Sequence, residues 1–216
     1  MSENRYVIWG NAGHAKVLSS LIALQGGRVL AVFDQHDGVS VLPGVPLFVG
    51  EAGFLHWADT AQGRSDIVGV VAIGGNRGRD RIALQQRFAL HGLRLDNLVH
   101  PSASVCTSAH LGAGTQVLAQ AVVAADARVG IACIVNHRAS IDHECLLGQG
   151  VHLAPGATLC GLVTLHDNVM VGAGAVVLPR LTIGANTVVG AGATVTRDLP
   201  ANVVVVGNPA RILRTN

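Results

Sequence analysis

Aromatic side chains are scarce in this 216-residue chain: one Tyr, two Trp and four Phe, 3% of the total. Charge is scarce too, at 13%, although half of the residues are hydrophobic. A core short of bulky rings suits narrow, repeated layers, and 27 glycines suit tight corners between them. No apolar run approaches the ~20 residues of a membrane-spanning helix. The polar start Met1-Ser2-Glu3-Asn4-Arg5 lacks the features of a signal peptide, so the chain is read as cytoplasmic. A formal net charge of +2 and the lack of a dense Lys/Arg cluster argue against a nucleic-acid or membrane-surface partner. No CxxC pair occurs among Cys106, Cys133, Cys145 and Cys160, which argues against a zinc or redox motif and leaves packed thiols as the expectation.

What is present divides into two periodicities. Residues 6–9 read as a strand, 10–14 as a glycine turn, and 15–24 as a helix with apolar residues at 17, 18, 21, 22 and 24. A second strand is expected over 28–33, closed by Asp34. A third over 67–73 is apolar nearly throughout, as a buried parallel strand should be. A second helix is expected over 79–90 and a further strand over 95–99. Strands alternating with helices predict an N-terminal α/β domain, a Rossmann-like βαβαβ unit over residues 1–100. Pro101 marks its boundary with a second domain over 101–216.

After Pro101 the rhythm changes. From Val105, every sixth residue through Leu111, Val117, Val123, Val129, Val135, Ile141, Leu147, Leu153, Leu159, Leu165, Val171, Val177, Ile183 and Val189 to Val195 is Val, Leu or Ile. With half of the chain hydrophobic, such a run in any of six registers has odds of about one in 11,000, so it marks a hexapeptide repeat. A compact residue usually stands two places earlier, as at Ala121, Cys133, Ala157 and Ala175, and glycine often follows, as at Gly112, Gly130, Gly148, Gly172, Gly184 and Gly190. Three units make one coil of a triangular prism. The aliphatic residue points inward, the compact one fills the space near a corner, and glycine, Asn or Asp permits the turn. The prediction is a parallel β-helix of a little over five coils sharing one core.

The repeat resembles that of the left-handed parallel β-helix acyltransferases. The preceding module narrows the resemblance to the NeuD/PglD-like sugar acyltransferases. It rests on Ile8-Trp9-Gly10-Asn11-Ala12-Gly13-His14-Ala15-Lys16, a strand and glycine turn opening a helix, and on Ala72-Ile73-Gly74-Gly75-Asn76 followed by Arg79. Asn11-Ala12 departs from the smaller, more glycine-rich residues common there. The resemblance implies a homotrimer with acyl-CoA sites between subunits, acetyl-CoA as acyl donor and no metal.

Acyl transfer from a thioester needs a base for the nucleophile's proton, donors for the developing oxyanion and a track for the CoA arm. Imidazole suits the first task, since its unperturbed pKa of about 6.5 leaves it mostly neutral at cellular pH. Of the ten histidines, His143 falls two places after inward Ile141 and should lie on the outer surface. Relatives carry their base in a matching His-Glu or His-Asp pair, so the resemblance implies His143 as general base and Glu144 as the partner that fixes its tautomer. Neighbours on a straight strand point oppositely, so this pairing requires a bend at the coil corner. A solvated His beside a solvated Glu is the bland alternative. His137 occupies the same place one unit earlier and is the main rival.

Further roles also follow from the resemblance. His152 matches a position that contacts acetyl-CoA, and Asn136 is available to hydrogen-bond substrate or donor. The backbone at Gly172-Ala173 and Gly190-Ala191 is expected to carry the pantetheine arm. The ending Gly207-Asn208-Pro209-Ala210-Arg211 lies by the adenosine in relatives, with Arg211 meeting a phosphate. In the first domain, Gly13, His14, Ala15 and Lys16 open a helix whose amides and dipole favour an anion. Asp34 ends a strand as a ribose or sugar contact should, and Gly74 belongs to the second signature. The turn falls short of a full GxGxxG, so NAD is not expected.

The expectation is direct N-acetylation of a nucleotide-linked 4-amino-4,6-dideoxy sugar, since no motif for a Ser or Cys nucleophile appears. O-acetylation of sialic acid or a related sugar is the nearest alternative. A non-catalytic sugar-nucleotide scaffold is an alternative of another class. A metal-dependent hydratase on the same coil would need three ligand histidines whose spacing is not evident.

Overall fold

The computed structural model describes residues 4–61 and 64–216, so Met1-Ser2-Glu3 of the polar start lie outside the described residues. The chain forms two compact units. One contains the residues up to Ile73 together with Ala83–Asp96, and the other contains Gly74–Ile82 together with Asn97–Asn216.

In the first unit, β1 (Asn4–Trp9), α1 (Gly13–Leu24), β2 (Gly27–Asp34), β3 (Leu47–Val49), α2 (Gly50–Thr60) and β4 (Ile67–Val71) follow in sequence. The strands form one parallel sheet in the order β3-β2-β1-β4. All five residues of β4 are buried, as its apolar run requires. Helix α1 buries Ala15, Leu18, Leu21 and Ile22, one stripe of its surface.

All seven aromatic residues of the chain lie in this unit. Six of them form a cluster centred on Phe33, whose ring centroid lies 5.1 Å from that of Phe54, 5.4 Å from Trp57 and 5.6 Å from Trp9. Gly69 in β4 is glycine because Phe88 lies against it: an added Cβ would collide with the ring.

Strand β3 and helix α2 have no counterpart among the expected elements. The strand is three residues long. The helix carries Gly50 and Gly53 and is held by burying Phe54, Trp57 and Ala58 rather than by propensity. The strand expected over 95–99 is also corrected. Arg94 alone bridges Val68, while Leu98–Val99 pairs with Gln116–Val117 as the first strand of the coil. Helix α3 (Gly78–Leu90) follows β4 and matches expectation within one residue.

In the second unit, two-residue strands stack into three sheets of five, six and eight strands. Arg128 pairs with His110 on one side and Leu146 on the other, a step of 18 residues, so three hexapeptides complete a coil. This is the left-handed parallel β-helix. Every predicted inward aliphatic from Val117 to Val195 is buried in one continuous cluster, and Val105 and Leu111 are partly buried against its end. Each such side chain stabilises the fold by about 1.5–3 kcal/mol relative to exposure.

The corners are made by residues with left-handed backbone at six-residue intervals, among them Asp126, Ala132, Glu144, Asn168 and Asn186, with φ of 56–59°. Such a conformation costs a non-glycine residue about 1–3 kcal/mol. It recurs here because each corner amide is bonded to the adjoining coil, as in Ala132 N–H to Ala113 O (3.1 Å) and Gly150 N–H to Ile131 O (2.8 Å). The glycines that directly follow the aliphatics are not the turn residues expected; the turn falls two residues later. At Gly172 an added Cβ would stand 2.5 Å from Ala191 N, so the neighbouring coil excludes a side chain there. A hairpin of Val203–Val206 and Arg211–Thr215 closes the eight-stranded sheet.

Candidate active site

The strand Ser140–Ile141 ends in a corner whose left-handed residue is Glu144, at φ 57°. This supplies the bend that lets adjacent side chains converge. His143 Nδ1 lies 3.0 Å from Glu144 Oε2, with both side chains about half exposed. A carboxylate only accepts, so Nδ1 carries the proton and Nε2 is the basic nitrogen of the neutral ring.

The backbone around the imidazole is fixed on both sides. Asp142 Oδ1 accepts the His143 N–H at 2.7 Å, and the His143 carbonyl accepts the Leu162 N–H at 3.0 Å. Gly161 lies one coil farther on, where an added Cβ would stand 2.5 Å from His143 Nε2. That glycine leaves room for the ring, and coil arithmetic from His143 is the signal that finds it.

His137 has a different partner. Its Nδ1 is 2.9 Å from Asn136 Oδ1, which also accepts the His137 N–H at 2.8 Å. The partner of His137 is therefore a neutral amide oxygen where that of His143 is a carboxylate.

His152, Asn136 and Gly74 come together within the second unit. His152 is 6% exposed; its Nδ1 accepts the Gly75 N–H at 2.9 Å, and its Nε2 lies 3.3 Å from Asn136 Nδ2. A Cβ at Gly74 would be 3.7 Å from the same ring. The residues assigned to the acyl donor line one corner by register. Gly172 and Gly190 repeat the place of Asn136 two and three coils on, and the exposed Ala173 and Ala191 repeat that of His137. Their methyl groups leave that edge of the prism unobstructed. Arg211 is exposed, with Nη1 donating to Ala210 O at 3.0 Å.

In the first unit, Ala12 precedes α1 without a side-chain cap, and no acidic residue stands in the first turn. Gly13 and Lys16 are exposed, His14 is half-buried, and Ala15 packs inward with its N–H bonded to Ala12 O. The N-terminal end of the helix dipole and Lys16 give this turn a positive character. Asp34 Oδ2 accepts the Asn11 N–H (2.8 Å) and Oδ1 the His36 N–H (3.0 Å). Burial pushes this carboxyl upward, but those amide bonds outweigh it and hold the pKa below the ordinary value. Asn11 also closes the loop through Val39 O and Val41 N, so the Asn11 departure has a structural role.

Besides Gly161, Arg81 and Asn168 were outside the sequence reading; they hold residues 74–82 to the coil. Arg81 sits among Arg77, Arg79 and Asp80, and nothing in that charged run singles it out as buried. Among the described residues, no group of three or more His, Cys, Asp or Glu is placed to hold a metal ion, and no helix is long and apolar enough to cross a membrane. Burial pushes the Cys133 thiol up to about 12, consistent with a packed thiol.

Comparison with known proteins follows the same division. Residues 5–85 match the model of the PglD N-terminal domain, and residues 163–197 match that of the bacterial transferase hexapeptide (six repeats). The crystal structure of PerB from Caulobacter crescentus, in complex with CoA and GDP-perosamine, is 38% identical, covers 98% of both chains and superposes with a TM-score of 0.87. The acetyltransferase domain of PglB from Neisseria gonorrhoeae is 32% identical over 98% of this chain and 100% of that one, with a TM-score of 0.85. GDP-perosamine N-acetyltransferase of Escherichia coli O157:H7 is 33% identical over 149 residues, 67% of this chain and 66% of that protein.

Proposed function

The chain belongs to the acetyl-CoA-dependent sugar N-acetyltransferases with a PglD-type N-terminal domain and a hexapeptide coil, and from that premise we propose that it acetylates the amino group of a nucleotide-linked 4-amino-4,6-dideoxy sugar. The observation that carries this reading is the His143–Glu144 pair, set at a coil corner of a chain matched end to end by an enzyme crystallised with CoA and GDP-perosamine. Variants of that enzyme in which one histidine is replaced by alanine or asparagine also hold both molecules.

In this mechanism the first unit recognises the nucleotide through the amides that open α1, with Lys16 beside them. Acetyl transfer takes place on the second unit. His143 Nε2 accepts a proton from the amine as its nitrogen attacks the thioester carbonyl. Glu144 holds the ring's Nδ1–H and stabilises the imidazolium that forms. The carbonyl–sulfur bond breaks, the amide remains on the sugar, and His143 returns its proton to the departing thiolate or to solvent. No covalent enzyme intermediate forms. Asn136 and His152 supply donors near the reacting carbonyl, Gly172-Ala173 and Gly190-Ala191 line the pantetheine arm, and Arg211 meets a phosphate of CoA. The working form is a cytoplasmic homotrimer.

Thiol release from acetyl-CoA tests this reading. GDP-perosamine should give turnover, UDP- and dTDP-linked 4-amino sugars should show whether the base is read, and sialic acid should give none. Turnover with sialic acid alone would establish the O-acetyl alternative. Silence with every acceptor would establish the scaffold.

A further inference from the structure

Arg81 is a charged side chain with only 1% of its surface exposed. Its guanidinium spans three main-chain carbonyls: Nε donates to Ala132 O at 2.9 Å, Nη2 to Gly150 O at 2.6 Å and Nη1 to Gly75 O at 3.2 Å. Ala132 and Gly150 are successive left-handed residues of one coil corner. The next residue of that column is Asn168, whose Oδ1 accepts the Gly78 N–H at 2.7 Å. Asn168 Nδ2 in turn donates to Asn186 Oδ1 (3.0 Å), and Asn186 Nδ2 to Asn202 Oδ1 (2.9 Å). Residues 74–82 are therefore bolted to three consecutive steps of one corner, the last of them braced by a ladder of amides.

We propose that Arg81 is a positioning residue for acetyl transfer, clamping residues 74–82 so that Gly75 is fixed against His152. The chain of cause is short. Arg81 fixes the Gly75 carbonyl, and the Gly75 N–H donates to His152 Nδ1, which leaves Nε2 as the protonated nitrogen of the neutral ring, 3.3 Å from Asn136 Nδ2. A guanidinium offers five donors in a fixed fork and so can serve three carbonyls at once; an ammonium has neither the reach nor the fork. Gly78 leaves no room for adjustment, because an added Cβ there would stand 2.6 Å from Asn168 Oδ1. A displaced Gly75 would leave the imidazole free to turn, and a displacement of about 1 Å in a reacting constellation costs on the order of 100-fold in rate.

This inference rests on the reading of the second unit as the site of acetyl transfer, and its test separates the two. The full chain carrying Arg81→Lys is compared with the parent under saturating acetyl-CoA and GDP-perosamine. The expected result is a kcat lower by about 10- to 100-fold, with the KM for acetyl-CoA within about threefold, because positioning is lost rather than binding. In Arg81→Ala, millimolar guanidinium should restore part of the lost rate and leave the parent unaffected. Independently of activity, the Gly75 amide should exchange with solvent at least about tenfold faster in Arg81→Lys, while coil amides remote from the corner keep parental rates. A folded Arg81→Lys protein with parental kcat and parental Gly75 exchange overturns the proposal. So does a loss of activity in Arg81→Ala that merely tracks loss of folded protein and is not rescued by guanidinium. If Arg81→Ala does not fold, Arg81→Lys decides alone. A parent protein that transfers no acetyl group would sink the functional reading and leave the Gly75 exchange rates to judge Arg81.

Discussion

The two units solve the same problem of core formation in opposite ways. The first fits a few large rings together around Phe33; the second stacks small aliphatics that repeat every six residues and contains no aromatic residue at all. In the ring cluster each member has a unique shape to fill, so its stability is concentrated in a few positions. In the coil every layer resembles its neighbours, so stability is spread along the stack and each layer depends on the next. The coil can then spend its outer surface on chemistry, because inward and outward positions alternate on every strand and a corner change leaves the core untouched.

The sharpest break in this comparison comes from charging one coil layer. Leu153→Asp places a carboxylate where the parent side chain is fully buried, and the product is expected to be insoluble or unfolded. A soluble Leu153→Asp protein that melts like the parent would show that this side chain does not face the prism interior. Phe33→Ala comes next, with an expected loss of about 3–5 kcal/mol. Because Trp9 and Trp57 both lie in the first unit, tryptophan fluorescence reports that unit alone. The fluorescence transition should fall by many degrees while the far-ultraviolet signal of the coil persists. Coincident loss of both signals would show that the two cores melt as one.

How much of this was legible beforehand follows from the same contrast. The coil announced itself because its inward side chains recur at a fixed interval, so Val117 to Val195 were assigned inward from sequence and are buried. The ring cluster has no period: Phe33, Phe54 and Phe88 are far apart in sequence, and α2, which supplies Phe54, carries two glycines that obscure a helix. The strand at 98–99 was misassigned because two apolar residues read alike in a Rossmann sheet and in a coil, and only the partner tells them apart. The His143–Glu144 pair was assigned through the family resemblance rather than from the two residues alone, and the corner bend that their contact requires is present at Glu144. Arg81 was not readable, since burial of an arginine depends on carbonyls brought together from positions 51 and 69 residues away.

Smaller effects refine the corner chemistry. Gly161→Ala should push the His143 ring off its seat and lower kcat by about tenfold or more, with acetyl-CoA binding unchanged. Unchanged kcat would mean that the ring does not need that seat. The smallest expected effect lies in the first unit. Asp34 has a carboxyl pKa held below its ordinary value, so its contribution to stability is fully present above the unfolded-state value of about 3.9 and is lost as pH falls through the lowered folded value. Acid titration of Asp34→Asn should give a shallower fall in stability than the parent below about pH 5. Parallel curves would deny the loop that role.

The central claim is that an imidazole at one coil corner takes the proton from the attacking amine. Replacing His143 with alanine and measuring thiol release with GDP-perosamine, alongside calorimetric binding of acetyl-CoA, tests it most directly. Turnover should fall by about 100-fold or more while the dissociation constant for acetyl-CoA stays within about twofold. A His143→Ala protein that turns over near the parental rate would contradict it.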